Sequence, residues 1–434
     1  MHKIKSITVD GFRGQSKPIQ LALSESANFL IGRNGTGKTS LINLINACLS
    51  VDGDVLRETN FTKVTLRFKE PGKATVPILE VEKLDYNTTG LYIRYSLRAK
   101  ASAQAESFEL SFGRRRVLRE IDGHRRFVNR PDPLRELEQK LSKIFRCTWL
   151  SLHRGNHISE ERDMIPFESE YESEAPTNIS GVDHKLGEVL ENLKRYYFLL
   201  DRRVSDQTRN FQKDWFLSFL ATGDSDASIL NSNVDFEEEK KAIAAIFDRF
   251  EVAKDSYTKQ LEKHVTIGKK ALEEWQENKS VPLMSFFTLY DVLRLHGLVQ
   301  QWQTLQELQK EILVPKSDFV NISSGMLYKK VVKIDQGNEV NIYSDDEIQI
   351  PIEKLSSGEK QLIIFLAETL LQEGKNFIFL ADEPELSLHV EWQEQLVSNL
   401  FRINPNAQVL FATHSPDIVG SYNKNLFSME ELVQ

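Results

Sequence analysis

The sequence predicts an α/β fold in which two β-rich lobes are separated by an α-helical, partly coiled-coil insertion. Three observations lead to this prediction: a glycine-rich turn between an apolar strand and a helix, alternating strand patterns in the first third of the chain, and a helical middle. A chain of 434 residues is long enough for more than one structural unit. We therefore expect an N-terminal lobe at 1–158, the insertion at 159–315 and a C-terminal lobe at 316–434.

The composition is that of an ordinary globular protein, with 40% hydrophobic and 27% charged residues. No stretch approaches the roughly 18 to 20 uncharged apolar residues that a membrane span needs, and the N-terminus alternates like a strand instead of resembling a secretory signal. The two cysteines, Cys48 and Cys147, are far apart in the sequence, so neither a disulfide framework nor a cysteine-based zinc site is expected. We expect a cytoplasmic protein that does not contact a membrane.

The glycine-rich loop, residues 32–39 of the run GRNGTGKTS, follows the apolar strand NFLI and opens a helix. In this context the glycines let backbone N–H groups turn toward the phosphates of a nucleotide. We expect Lys38 to reach the β and γ phosphates and Thr39 to give a hydroxyl ligand to Mg²⁺. The residues expected to contact nucleotide here are Asn34, Gly35, Gly37, Lys38, Thr39 and Ser40.

Two adjacent acids, Asp382 and Glu383, end the apolar run NFIFLA near the C-terminus. Placing both at the end of a buried strand is costly unless a metal and a substrate compensate them, although an ordinary exposed strand end is the alternative. We expect Asp382 to bind Mg²⁺ together with Thr39, and Glu383 to act as general base on an attacking water. His414 follows another apolar strand and is expected to contact the γ phosphate. The sequence thus predicts ATP and Mg²⁺ as ligands, with Glu383 and His414 catalytic.

The middle of the chain carries two short heptad patterns typical of packed helices. Two to three heptads fit packing inside a helical domain as well as a free-standing antiparallel hairpin. A helix farther along is expected to stop at Pro315, before an alternating hairpin pattern. The first pattern consists of Leu186, Leu190, Leu193, Tyr197, Leu200 and Val204, and the second of Ile243, Ile246, Phe250, Ala253 and Tyr257.

A second candidate anion site lies in the run KLSSGEKQL, residues 354–362. Here Ser356 and Gly358 stand at the start of a long apolar helix, where side-chain and backbone donors are available to an anion. We call residues 355–359 the signature loop. The glycine-rich loop already provides one phosphate-binding site, so the function of a second anion site in the same chain requires an explanation.

The order of these motifs resembles that of ABC-type ATPases. GRNGTGKTS, LSSGEKQ, FLADEPELSLH and ATHSP are similar to the Walker A, signature, Walker B with D-loop, and switch-histidine motifs of that family. ITVDGFRG and DEPELSLH are typical of its SMC-like branch, which includes RecF-like proteins, the OLD family and ATPases of phage-defence systems such as Septu and PARIS. The resemblance implies an ABC-type ATPase head, with a mixed sheet around the glycine-rich loop, an antiparallel β subdomain and a helical insertion.

The same resemblance implies that two heads pack head-to-tail around ATP. Ser356 and Gly358 of one subunit would then contact the γ phosphate bound by Lys38 of the other, so the protein is expected to form a homodimer or a higher homo-oligomer. The implied role is to sense infection and control a separate effector nuclease or toxin subunit. The alternative is a RecF-like repair ATPase that closes on DNA. No nuclease motif is evident, so cleavage is expected from another protein.

An arginine-rich stretch in the N-terminal lobe is the candidate contact for nucleic acid or a protein partner. The formal net charge of the chain is −8, so only such a local patch favours nucleic acid. A solvated strand edge is the alternative. The stretch includes Arg114, Arg115, Arg116, Arg125 and Arg126.

Replacing Arg114, Arg115 and Arg116 together by Ala is predicted to weaken binding to duplex DNA and to reduce its dependence on salt, because each lost phosphate contact lowers the number of released counterions. Fluorescence anisotropy at about 50 and 200 mM salt measures both effects. Equal affinity in the triple variant would leave the stretch as a solvated edge or a protein contact.

Overall fold

The computed structural model describes two compact units. Unit 1 comprises residues 1–194 and 318–434, and unit 2 comprises residues 195–317. The arginine-rich stretch and the start predicted for the insertion at residue 159 lie outside the described residues. No helix in the described ranges is both long enough and apolar enough to cross a membrane. These ranges are 1–69, 76–86, 90–100, 103–111, 133–150, 181–218, 235–278 and 282–433.

A parallel sheet in unit 1 carries the candidate site. Its continuous apolar runs are typical of strands buried on both faces, and every residue of its central strand, Ala407–Ala412, is buried. Because the strands are parallel, their carboxyl ends meet at one edge of the sheet. In spatial order the described strands are β14 (Leu426–Ser428), β3 (Ala27–Ile31), β13 (Ala407–Ala412), β12 (Phe377–Asp382) and β8 (Cys147–Leu150).

Helices cover this sheet and follow its strands. Phe379 lies on β12, with its ring 5.8 Å from Phe411 of the neighbouring strand and 5.9 Å from Phe365 of a covering helix in edge-to-face contacts. The helices of unit 1 that matter for the site are α1 (Lys38–Ser50), α8 (Ser357–Leu370), α9 (Val390–Ile403), α10 (Pro416–Val419) and α11 (Met429–Leu432).

An antiparallel sheet forms the second layer of unit 1. Its strands alternate between buried and exposed side chains, as Val64, Leu66 and Phe68 show, and one hydrophobic core joins it to α1 and the parallel sheet. The predicted α/β fold, with parallel and antiparallel sheets, is confirmed. The described strand order is β2 (Ile19–Ala22), β1 (Lys3–Asp10), β4 (Lys63–Lys69), β5 (Ile78–Tyr86), β6 (Gly90–Arg98) and β7 (Glu106–Ser111), flanked by α2 (Gly53–Glu58) and α3 (Pro133–Ile144).

The remaining long helices are α4 (Gly181–Ser218), α5 (Phe236–Arg249), α6 (Lys254–Asn278) and α7 (Leu283–Met326). The first heptad pattern lies on α4, where most of its members are buried. The second pattern was expected to continue to Tyr257, and this is wrong because α5 ends at Arg249. Glu251 has a φ of 56°, and the N–H of Val252 donates to the carbonyl of Phe247 at 3.0 Å, so a Schellman motif ends the helix.

The predicted helix end at Pro315 is also wrong, because α7 continues through this proline to Met326. Proline removes one backbone hydrogen bond from a helix interior. Beyond it, Phe319 and Ile322 are buried, and burial of two large side chains offsets that loss.

The predicted hairpin after α7 is confirmed and leads the chain to the signature loop. β9 (Lys330–Ile334) pairs antiparallel with β10 (Val340–Ser344), which pairs with the short β11 (Gln349–Ile350). A 3-10 turn at Ile352–Lys354 follows and brings the chain to the N-terminus of α8.

Candidate nucleotide-binding site

The glycine-rich loop joins β3 to α1 at the carboxyl edge of the parallel sheet. Gly35 has a φ of 83° and Gly37 a φ of 103°, backbone conformations that residues with a Cβ rarely adopt. Gly37 is the residue that precedes α1, so the backbone N–H groups of the first helical turn point to the loop. This arrangement suits an anion such as a phosphate.

The ammonium group of Lys38 is enclosed by acceptors. Its Nζ donates to the carbonyl of Gly32 at 2.8 Å and to that of Arg33 at 3.3 Å, and lies 2.5 Å from Nε2 of His414. Burial lowers the pKa of Lys38, although neighbouring carboxylates, Glu383 first among them, oppose this shift. Phosphate oxygens would take over the acceptor role of these carbonyls.

Thr39 and Asp382 stand next to each other, as their predicted role requires. The Thr39 hydroxyl donates to Oδ1 of Asp382 at 3.1 Å. Burial raises the pKa of Asp382, the bond from Thr39 opposes this, and the charge of Glu383 adds to it. Within the described ranges no three His, Cys, Asp or Glu side chains are grouped to hold a metal. One hydroxyl and one carboxylate fit Mg²⁺, which completes its coordination with phosphate and water.

Glu383 and His414 lie at the ends of β12 and β13. Glu383 has a φ of 47°, and its N–H donates to the carbonyl of Ala412 at 2.7 Å. Such a conformation costs about 1–3 kcal/mol, and strained residues of this kind cluster at functional sites. The Glu383 carboxylate lies 3.6 Å from Nε2 of His414, and about a third of each side chain is exposed. A water at this place could lose a proton to Glu383.

Arg13 also belongs to the site and was missed from the sequence. Its guanidinium donates to the carbonyl of Gly35 at 3.1 Å and to the hydroxyl of Ser40 at 3.0 Å. Phe12 beside it is fully buried and anchors the turn after β1. The signal was the run GFRG (residues 11–14), whose two glycines allow the turn that brings the arginine to the glycine-rich loop.

Glu430 holds the glycine-rich loop from the opposite side. Its carboxylate accepts the backbone N–H of Arg33 at 2.8 Å and the hydroxyl of Ser428 at 3.1 Å. The bond from Arg33 is the main reason why the pKa of Glu430 is lowered. No motif in the sequence pointed to this residue on α11.

The signature loop forms a capping box. The Ser356 hydroxyl accepts the N–H of Glu359 at 3.3 Å, and the Glu359 carboxylate accepts the N–H of Ser356 at 2.9 Å. Burial would raise the pKa of Glu359, but its contacts with Lys330 and Ser356 lower it overall. Ser356 and Ser357 are exposed. The side chain of Ser356 bonds within α8, and no described contact joins it to the glycine-rich loop of its own chain.

Gly358 is buried against the D-loop, residues 384–389. A Cβ at this position would lie 2.1 Å from the carbonyl oxygen of Ser387, so only glycine allows this approach. Gln361, one turn along α8, donates to the carbonyl of Pro384 at 3.1 Å. The signature loop therefore rests on the D-loop of the same chain.

The structure thus brings five of the predicted site residues together at the sheet edge, but not the signature-loop residues or the arginine-rich stretch. Ser356, the N-cap of α8, and Gly358, in its first turn, have no described contact with the residues at the sheet edge, and the arginine-rich stretch is outside the described residues. The group that meets at the sheet edge consists of Lys38, Thr39, Asp382, Glu383 and His414.

Known proteins resemble this chain along nearly its whole length. A family model described as an AAA ATPase domain matches residues 2–419. The chain is 23% identical over 424 residues to a retron Vc95 probable ATPase of Vibrio cholerae, covering 95% of this chain and 70% of the relative. It is 29% identical over 128 residues to the Septu protein PtuA of Bacillus thuringiensis, covering 26% of this chain and 32% of that protein. An SMC head domain from Pyrococcus furiosus aligns over 96% of this chain and 91% of that chain, with 11% identity and a TM-score of 0.43.

Replacing Asp382 by Asn is predicted to raise the melting temperature of the protein without nucleotide or Mg²⁺ at pH 8, by at most about 2 °C for each kcal/mol of stability gained in a chain of this size. The folded chain binds the Asp382 proton more tightly than the unfolded chain, so ionisation lowers stability as the pH rises from the ordinary carboxyl pKa through the raised value. The gain should shrink toward pH 4. Thermal unfolding from pH 4 to 8 measures it, with the exposed Asp346→Asn as control. An Asn variant that melts lower than wild type at pH 8 would contradict the prediction.

Proposed function

Because the chain belongs to the AAA ATPase domain family, it hydrolyses ATP, and we propose that two copies of the chain share each ATP site. The observation that carries this proposal is the position of the signature loop. Ser356 and Ser357 are exposed at the N-terminus of α8, while the described contacts of Lys38 do not include them. A helix end that offers donors away from its own nucleotide loop suits the phosphates bound by a neighbour.

Within one chain, the residues at the sheet edge bind the nucleotide and prepare it for hydrolysis. The glycine-rich loop and Lys38 hold the phosphates, and Arg13 adds positive charge beside Gly35. Thr39 and Asp382 would hold Mg²⁺, which would neutralise charge on the phosphates. Glu383 accepts a proton from the attacking water, and His414 contacts the γ phosphate.

The second chain completes the site with Ser356, Gly358 and the N–H groups at the start of α8, where Ser357 is also exposed. The positive end of the helix dipole favours the γ phosphate there. ADP lacks this phosphate and cannot make these contacts. ATP therefore stabilises the dimer in which the two chains are closed on the nucleotide, and hydrolysis favours opening of that dimer. The ATPase cycle would in this way control a larger assembly.

The larger role that we propose is antiphage defence, in which the ATP-closed assembly responds to infection and controls a separate effector nuclease or toxin subunit. Likeness to a retron ATPase over 95% of the chain and to the Septu protein PtuA supports this role. The protein would carry out this role in the cytoplasm. Nucleic acid, through the arginine-rich stretch, would be a further partner. The alternative function is that of a RecF-like DNA clamp, and the experiment below distinguishes it from antiphage defence.

Replacing Lys38 by Ala in the native locus is predicted to abolish protection against phage, because the phosphates lose their buried ammonium partner. Plating of a phage that the wild-type locus restricts should rise to that of cells without the locus. Survival of uninfected cells after ultraviolet damage should stay unchanged. The exposed Lys143→Ala is the matched control. Intact protection together with poor survival after damage would favour the DNA-clamp function instead.

A further inference from the structure

We propose that Glu385 is a positioning residue, which ties the D-loop to the loop that carries His414. Through this tie, contact of a neighbouring chain with the D-loop would set the position of His414 in the chain that receives the contact. The inference rests on the proposed role of His414 in hydrolysis. We call residues 413–415 the histidine loop.

The carboxylate of Glu385 bonds directly to the backbone of the histidine loop. Its Oε1 accepts the N–H of His414 at 2.6 Å and the N–H of Ser415 at 3.2 Å. Hydrogen bonds to an ionised carboxylate are shorter and about twice as strong as neutral ones. One side chain of the D-loop therefore fixes the backbone from which the His414 ring projects.

A second side chain, Gln393 of α9, reinforces the same connection. Its Nε2 donates to the D-loop carbonyl of Leu388 at 2.9 Å, and its Oε1 accepts the hydroxyl of Ser415 at 2.6 Å. Two independent links thus join the D-loop to the histidine loop, so a displacement of one loop acts on the other.

Other residues of the D-loop contact α8 or are exposed. Gly358 packs on the carbonyl of Ser387, and Gln361 bonds to that of Pro384. The side chains of Ser387 and His389 are exposed. A chain that engages this surface would move the D-loop, and Glu385 would carry the movement to His414.

Stability alone does not explain a glutamate at this position. Its second oxygen, Oε2, is buried and has no hydrogen-bond partner in the part of the chain that the structure describes. Leaving a buried carboxylate oxygen without a partner is costly. The two bonds from Oε1 to the histidine loop are therefore the contribution that distinguishes Glu385 from an apolar residue.

Steady-state kinetics of Glu385 variants test the proposal. Glu385→Ala should lower kcat by about tenfold to a hundredfold, because small errors in positioning a reacting group cost this much, and should change KM for ATP by less than about threefold. Glu385→Asp keeps the carboxylate, but its side chain is too short to accept from both the His414 and the Ser415 N–H. It should therefore lower kcat with little change in KM, but by less than Glu385→Ala. Glu385→Gln keeps an acceptor oxygen and should recover most of kcat. The exposed Glu394→Ala serves as control.

Two further measurements separate positioning from a general structural role. If Glu385 acts through His414, adding Glu385→Ala to a His414→Ala protein should lower kcat no further. Hydrogen exchange at the amides of His414 and Ser415 should be faster in Glu385→Ala and Glu385→Asp than in wild type. Amide hydrogen exchange does not depend on ATP hydrolysis. Normal turnover in His414→Ala would refute the proposed role of His414 in hydrolysis, and the exchange rates would still test whether Glu385 holds the histidine loop.

Wild-type kcat in Glu385→Asp, an additional loss of kcat in the double variant, or unchanged exchange at both amides would overturn the proposal. If Glu385→Ala does not fold, Glu385→Asp supplies both the kinetic and the exchange results.

Discussion

The enclosure of one ammonium group by two backbone carbonyls and a histidine, near carboxylates at the edge of the parallel sheet, is the interaction on which the rest of the site depends. Lys38 lies between two backbone carbonyls and His414, while Asp382 and Glu383 stand close by. Burial lowers the pKa of Lys38 and raises that of Asp382, so each group is held in surroundings that disfavour its charge. Bound phosphates would supply negative charge beside Lys38, and a bound Mg²⁺ would supply positive charge beside Asp382.

Contacts around the D-loop connect this edge to the surface that a second chain would meet. The D-loop bonds to the histidine loop through Glu385 and packs on α8 at Gly358. The first turns of α4 are tied to the same helix, because Lys360 pairs with Asp183 at 2.6 Å. The signature loop is therefore joined within its own chain to the D-loop, and its exposed residues are Ser356 and Ser357.

Local motifs made much of the site predictable from the sequence. The glycine-rich loop, the acids after β12 and the histidine after β13 each follow an apolar strand, and parallel pairing brings strand ends together. Arg13 and Glu430 escaped because their partners lie 22 and 397 residues away in the sequence. The ends of α5 at Arg249 and of α7 at Met326 were also not predicted. The left-handed Glu251 ends α5, and burial of side chains after Pro315 allows α7 to continue past this proline.

A mixing experiment tests the shared ATP site most directly. Lys38→Ala removes the phosphate contact, and Ser356→Arg blocks the signature loop, so each protein alone should lack hydrolysis. A heterodimer of the two retains one intact composite site, and an equal mixture should regain about a quarter of the wild-type rate if half of the dimers are mixed. Normal hydrolysis by Ser356→Arg alone, or no recovery in a mixture shown to contain heterodimers, would contradict a site completed by a second chain.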